Sequence, residues 1–177
     1  MSAHPSLLVA DDDAVARDLL GEALGREGYR VAIAASGEEC VRLAESEPFD
    51  MALVDLRMPG LDGLSVLKRL AAIQPDLPVV ILTAFAAIDT AIEAVNAGAS
   101  DYLSKPFRME EIKIVVRRTL EARRLATEHS LDTRAPQARR HVGNLVGQSH
   151  QMAEIYTRIA ASRTSSGNRI RWPRSTS

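Results

Sequence analysis

Four short apolar runs in this chain end in residues suited to phosphoryl chemistry. Asp11 and Asp12 close Leu7-Leu8-Val9-Ala10, and Asp55 closes Met51-Ala52-Leu53-Val54. Thr83 closes Val79-Val80-Ile81-Leu82, and Lys105, followed by Pro106, comes just after Asp101-Tyr102-Leu103. Carboxylates in one crevice repel each other, which pushes at least one toward protonation unless a cation joins them. Oxygen-only ligands favour a hard ion, so Mg²⁺ fits better than zinc. A carboxylate can attack phosphorus to give an acyl phosphate, and a metal and an ammonium would neutralise the charge that builds on the phosphoryl oxygens.

The elements between these runs say whether the residues can meet. The runs are continuous and bounded by polar residues, as expected of strands buried on both faces. A first helix follows, with the apolar stripe Val15, Leu19, Ala23 and Leu24, beside Ala16 and Leu20, capped by Asp13. Tyr29 to Ala34 reads as a second strand and Ser36 to Ser46 as a second helix with Ser36 at its cap. Gly63 to Ile73 is a third helix, stopped by Gln74-Pro75, and Asp62-Gly63 is a turn before it. Ala87 to Ala97 is a fourth, ended by Gly98. A fifth opens at Arg108, turns Ile112, Val115, Val116 and Leu120 inward, and runs on toward Glu128. Strand and helix alternate five times, which predicts an α/β fold with a doubly wound parallel sheet. In a flavodoxin-like order, 2-1-3-4-5, the switch point lies between strands one and three, which deliver Asp11, Asp12 and Asp55.

These motifs resemble the receiver domain of bacterial response regulators, the CheY-like family. Asp11-Asp12, the run from Val54 to Gly63, Thr83-Ala84 and Lys105-Pro106-Phe107 match in order, and the resemblance covers roughly residues 6 to 122. It implies that Asp55 accepts a phosphoryl group from a sensor histidine kinase. It implies Mg²⁺ held by Asp12, Asp55 and the backbone carbonyl of Arg57, with Asp11 acting through a metal-bound water. Thr83 and Lys105 would then be switch residues, and Tyr102 the aromatic that turns inward when the threonine moves. A cis peptide before Pro106 is implied as well. The chain is then a signalling module and not an enzyme.

Each residue alone has a plainer meaning. Asp after a strand is a common cap, Thr83 an ordinary strand end, Lys105 a solvated charge and Tyr102 a packing residue; their joint placement at four strand ends makes the difference. Asp11-Asp12-Asp13 also carries the D-x-D spacing of haloacid-dehalogenase-like phosphatases, with Asp11 as nucleophile and Asp13 as acid/base. That reading lacks a further acidic pair and leaves Asp55 unexplained. Cys40 reads as inert packing, and His4, His129, His141 and His150 share no motif.

At 177 residues the chain holds one ordinary domain and an extension. With 46% hydrophobic and 4% aromatic residues, the core should be aliphatic. A net charge of −1 gives no global pull toward nucleic acid or membrane. One cysteine suits the cytoplasm, and the first residues predict neither signal peptide nor span. The expected divisions are a receiver over 1–122, a linker helix and linker over 123–141, with Leu131 to Arg140 polar and reading as the linker, the start of an ATPase domain over 142–161 and a disordered tail over 162–177. Asn144 to Tyr156 resembles the opening of the AAA+ domain of NtrC-like activators, with His150 in place of the usual proline. A G-x-x-x-x-G-K-[ST] loop should follow, and none does. The expectation is therefore a truncated or frame-shifted NtrC-like regulator in which ATP hydrolysis and direct DNA binding are lost. Homodimerisation through the fourth helix, fifth strand, fifth helix and linker helix, with Leu120 and Leu125 pairing across a two-fold axis, is the expected output. Competition for the kinase is the alternative.

Overall fold

A computed structural model of the chain describes residues 4–84 and 88–132. The elements alternate as the sequence predicts: β1 Ser6–Ala10, α1 Ala14–Arg26, β2 Arg30–Ala34, α2 Gly37–Ser46, β3 Met51–Asp55, α3 Gly63–Ile73, β4 Val79–Thr83, α4 Ile88–Asn96, β5 Asp101–Ser104 and α5 Met109–Asp132. The strands form one parallel sheet in the order β2-β1-β3-β4-β5.

Side chains alternate across the sheet because a strand has period two. Leu7, Val9, Leu53 and Leu82 pack with Leu20 and Leu24 of α1 and Ile112 and Val116 of α5. Leu8, Ala10, Val54 and Ile81 face the other way, onto α2, α3 and α4 through Ala44, Leu67, Leu70 and Ala94. Burying each of the larger aliphatic side chains contributes about 1.5–3 kcal/mol, and both faces do so in every central strand. The core is aliphatic as expected, with Phe49 and Tyr102 as its buried aromatics.

Polar caps end the helices where the sequence places them. Asp13 accepts from Val15 N–H at 2.9 Å, and Ser36 accepts from Glu39 N–H at 3.2 Å. Asp62 is not merely a turn residue. It is the N-cap of α3, accepting from Ser65 N–H at 2.7 Å, and such a cap contributes about 1 kcal/mol. At the end of α4, Gly98 and Ala99 N–H donate back to the carbonyls of Val95 and Ala94.

Three expectations need correction. Val15 and Leu19 do not face the core; they are 66% and 51% exposed, and α1 turns Leu20 and Leu24 inward instead. The apolar pattern of α1 offers two overlapping stripes, and contact with the sheet selects the second. Arg108 precedes α5, its N–H bonded to Glu111 at 3.2 Å. Finally, α5 runs past Glu128 to Asp132, so the helix takes in Leu131 and Asp132, where the linker is expected to begin. Leu120 packs against its own core, whereas Leu125 is exposed. The expected ATPase remnant and tail lie outside the described residues. Among the described residues no helix is long and apolar enough to cross a membrane.

At the amino edge of the sheet, Arg123 of α5 donates to the Phe49 carbonyl at 2.9 Å and to Asp50 at 3.3 Å. Asp50 also accepts from Ser6 N–H at 2.8 Å and Ser6 Oγ at 3.3 Å. The long helix is thereby fastened to the starts of β1 and β3.

Candidate functional site

The parallel register brings the strand ends level. Ala10 pairs with Val54, Asp55 with Leu82, and Thr83 with Ser104. Asp11, Asp55, Thr83 and Lys105 therefore emerge at one edge. Oxygen atoms from Asp11, Asp12 and Asp55 lie within 4.8 Å of one another. Asp11 is fully buried, Asp55 nearly so, and Asp12 is exposed. Lys105 Nζ donates to Asp11 Oδ2 at 2.6 Å and to Asp55 Oδ2 at 2.9 Å. Asp11 Oδ1 accepts from Asp13 N–H at 3.0 Å, so both oxygens of Asp11 are already hydrogen-bonded.

The electrostatics follow from this crowding. Burial pushes Asp55 above its ordinary carboxylate range; hydrogen bonding and attraction from Lys105 pull it back, and the Asp11 charge opposes ionisation further. Burial disfavours the Lys105 ammonium, but hydrogen bonds and attraction from Asp11 and Asp55 outweigh it and hold Lys105 above its ordinary value. The donor set is all oxygen, carboxylate-rich and open toward Asp12, which fits a hard divalent cation.

Backbone bonds fix the loops that carry these groups. Leu56 N–H donates to Leu82 O at 2.7 Å, Gly63 N–H to Leu56 O at 2.9 Å, and Lys105 N–H to Thr83 O at 2.6 Å. Arg57 N–H reaches Asp55 Oδ1 at 3.4 Å, so the Asp55 carboxylate lies under its own loop. The Lys105–Pro106 peptide is cis, as the resemblance implies. Thr83 is fully buried, and Tyr102 is 2% exposed, already inward.

Two contacts at the site escaped the sequence reading. Arg17 donates to the Asp11 carbonyl at 2.7 Å from one turn inside α1. Gly63 starts α3 against the peptide of Asp55, where a Cβ would lie 2.4 Å from Asp55 O. A glycine right after a capping Asp is the signal that could have drawn attention to it.

A five-stranded parallel sheet of this order, with acidic residues and a lysine at its carboxyl edge, defines the CheY-like class of α/β domains. The response regulator receiver domain model matches residues 7–117, and the chain belongs to that family. It is a receiver domain of the two-component type. It is 37% identical over 154 residues to the transcriptional regulatory protein ZraR of Escherichia coli (strain K12), covering 87% of this chain and 34% of the relative. The chain thus spans about a third of the length of the curated relatives it matches. Among solved structures, NtrX from Brucella abortus superposes with a TM-score of 0.70 at 29% identity, covering 76% of this chain and 31% of that one. A response regulator from Burkholderia pseudomallei with a phosphorylated aspartic acid and a calcium ion gives a TM-score of 0.61 at 30% identity, covering 90% and 86%. The phosphatase reading is not favoured: Asp13, which it needs as acid/base, caps α1.

Proposed function

We propose that Asp55 is the residue that accepts the phosphoryl group, from a sensor histidine kinase. A carboxylate oxygen of Asp55 bonds to phosphorus as the P–N bond to the donor imidazole breaks, leaving an acyl phosphate. The observation that carries this reading is the position of Lys105 Nζ between two buried carboxylates at 2.6 and 2.9 Å. That ammonium moves from Asp55 to a phosphoryl oxygen, and Thr83 offers its hydroxyl to another. Asp12, Asp55 and the backbone carbonyl of Arg57 would hold Mg²⁺, with Asp11 one water further out because its oxygens already serve Asp13 and Lys105. When bound, the metal neutralises charge on the phosphoryl oxygens. Val15 and Leu19, exposed within the first turns of α1 beyond Asp12, lie where a docking kinase would cover them.

Added charge at the strand ends shifts Thr83 and Lys105 and alters the face of α4, β5 and α5, with Tyr102 as its buried reporter. A second copy of the chain is the partner of that face. Ile114 and Leu125 are both exposed and, eleven residues apart, share one side of α5. By similarity to ZraR, the switch would serve transcriptional regulation. The test is intact mass after incubation with acetyl phosphate, with and without Mg²⁺, beside Asp55→Asn. One Mg²⁺-dependent phosphoryl adduct is expected, absent in the variant; substantial labelling of the variant at another residue refutes the assignment.

A further inference from the structure

The loop between β3 and α3 carries the Arg57 carbonyl, and it is held at two places. Its neck is closed by the bond from Gly63 N–H to the Leu56 carbonyl. Its tip is held by a different element, the first turn of α2. Glu38 Oε1 accepts from Leu61 N–H at 2.9 Å. The same carboxylate lies over Gly60, where a Cβ would come within 2.6 Å of Oε1 and where φ is +80°. One residue earlier, Gly37 lies against the next peptide of the loop; a Cβ there would lie 2.2 Å from the Leu61 carbonyl oxygen. The start of α2 thus touches both peptide groups that flank Leu61. The backbone N–H of Glu38 itself and, after it, that of Leu61 favour the ionised carboxylate of Glu38, which stays below its ordinary range.

We infer that Glu38 is a positioning residue for the metal site, acting through Leu61 N–H to hold the β3–α3 loop so that the Arg57 carbonyl faces Asp12 and Asp55. The inference rests on the phosphoacceptor reading above. It adds a residue on α2, an element that contributes no ligand. A loop closed only at its neck leaves its ligand carbonyl free to swing, and a supporting bond to a ligand's carrier raises affinity without touching the ion.

The test measures Mg²⁺ affinity by calorimetry and hydrogen exchange at the Leu61 amide, in wild type, Glu38→Ala, Glu38→Gln and Glu39→Ala. Glu39 is the control, because its carboxylate accepts from Ala35 N–H at 2.7 Å and caps α2 without reaching the loop. Glu38→Ala should weaken Mg²⁺ binding about tenfold, the low end for groups that support a ligand, and speed exchange at Leu61. Glu38→Gln, which keeps an acceptor oxygen, should stay near wild type on both. Glu39→Ala should leave Mg²⁺ affinity unchanged. Faster exchange with unchanged affinity in Glu38→Ala overturns the inference, as does equal weakening by Glu39→Ala. Wild type that binds no Mg²⁺ and takes no phosphoryl group from acetyl phosphate overturns the underlying reading instead.

Discussion

The two edges of the sheet use similar groups in opposite ways. At the amino edge one carboxylate, Asp50, has donors to spare: Ser6 N–H, Ser6 Oγ and the Arg123 guanidinium. At the carboxyl edge three carboxylates crowd within 4.8 Å. Two of them share the ammonium of Lys105, and Asp12 makes no side-chain hydrogen bond among the described residues. A satisfied carboxylate fixes structure. A cluster short of donors holds affinity for something that arrives, whether cation or phosphoryl group. The contrast is one of surplus against deficit, since both edges set carboxylates against a cationic side chain.

Removing the cation at each edge tests that contrast. Lys105→Ala leaves Asp11 and Asp55 facing each other with little solvent, which should cost about 3 kcal/mol. Millimolar Mg²⁺ should return much of it, read by urea unfolding with and without the ion. The same variant should still take a phosphoryl group while losing the wild-type shift in oligomeric state. An unchanged shift removes Lys105 from the switch. Arg123→Ala should cost less, about 1 kcal/mol, because its ion pair is part exposed and screened. It should show no Mg²⁺ response, and an equal response at both edges would erase the distinction between them.

The smallest effect is in pH. Asp55 binds its proton more tightly folded than unfolded, since burial raises it above 3.8. Stability contributed by the neutral form is lost as pH rises through the raised value. Without Mg²⁺, Asp55→Asn should therefore be more stable than wild type at neutral pH, with the difference shrinking as pH falls toward 3.8. A pH series of unfolding midpoints in which the gap widens in acid would contradict the direction.

Much of the site was legible because each contributing residue ends an apolar run, and a parallel sheet puts run ends together whatever their distance in sequence. Asp11, Asp55, Thr83 and Lys105 needed no more than that. The facing of α1 was not legible: Val15 and Leu19 are as apolar as Leu20 and Leu24, and only contact with the sheet separates them. Glu38 and Arg123 were invisible for another reason. A long charged side chain reads as solvated, and what it reaches depends on a loop brought close by the fold.

The fastening of α5 has a mechanical consequence. The helix has 24 residues, which at 1.5 Å rise makes it about 36 Å long. Nine of those residues lie beyond Arg123, an arm of about 14 Å. A tilt of about 10° at that fulcrum would carry the Asp132 end about 2 Å. The fulcrum sits at the edge of the sheet opposite Asp55, a strand's length of about 16 Å away. Chemistry at one rim would thus be felt as a displacement measured from the other, with the sheet as the rigid frame between them.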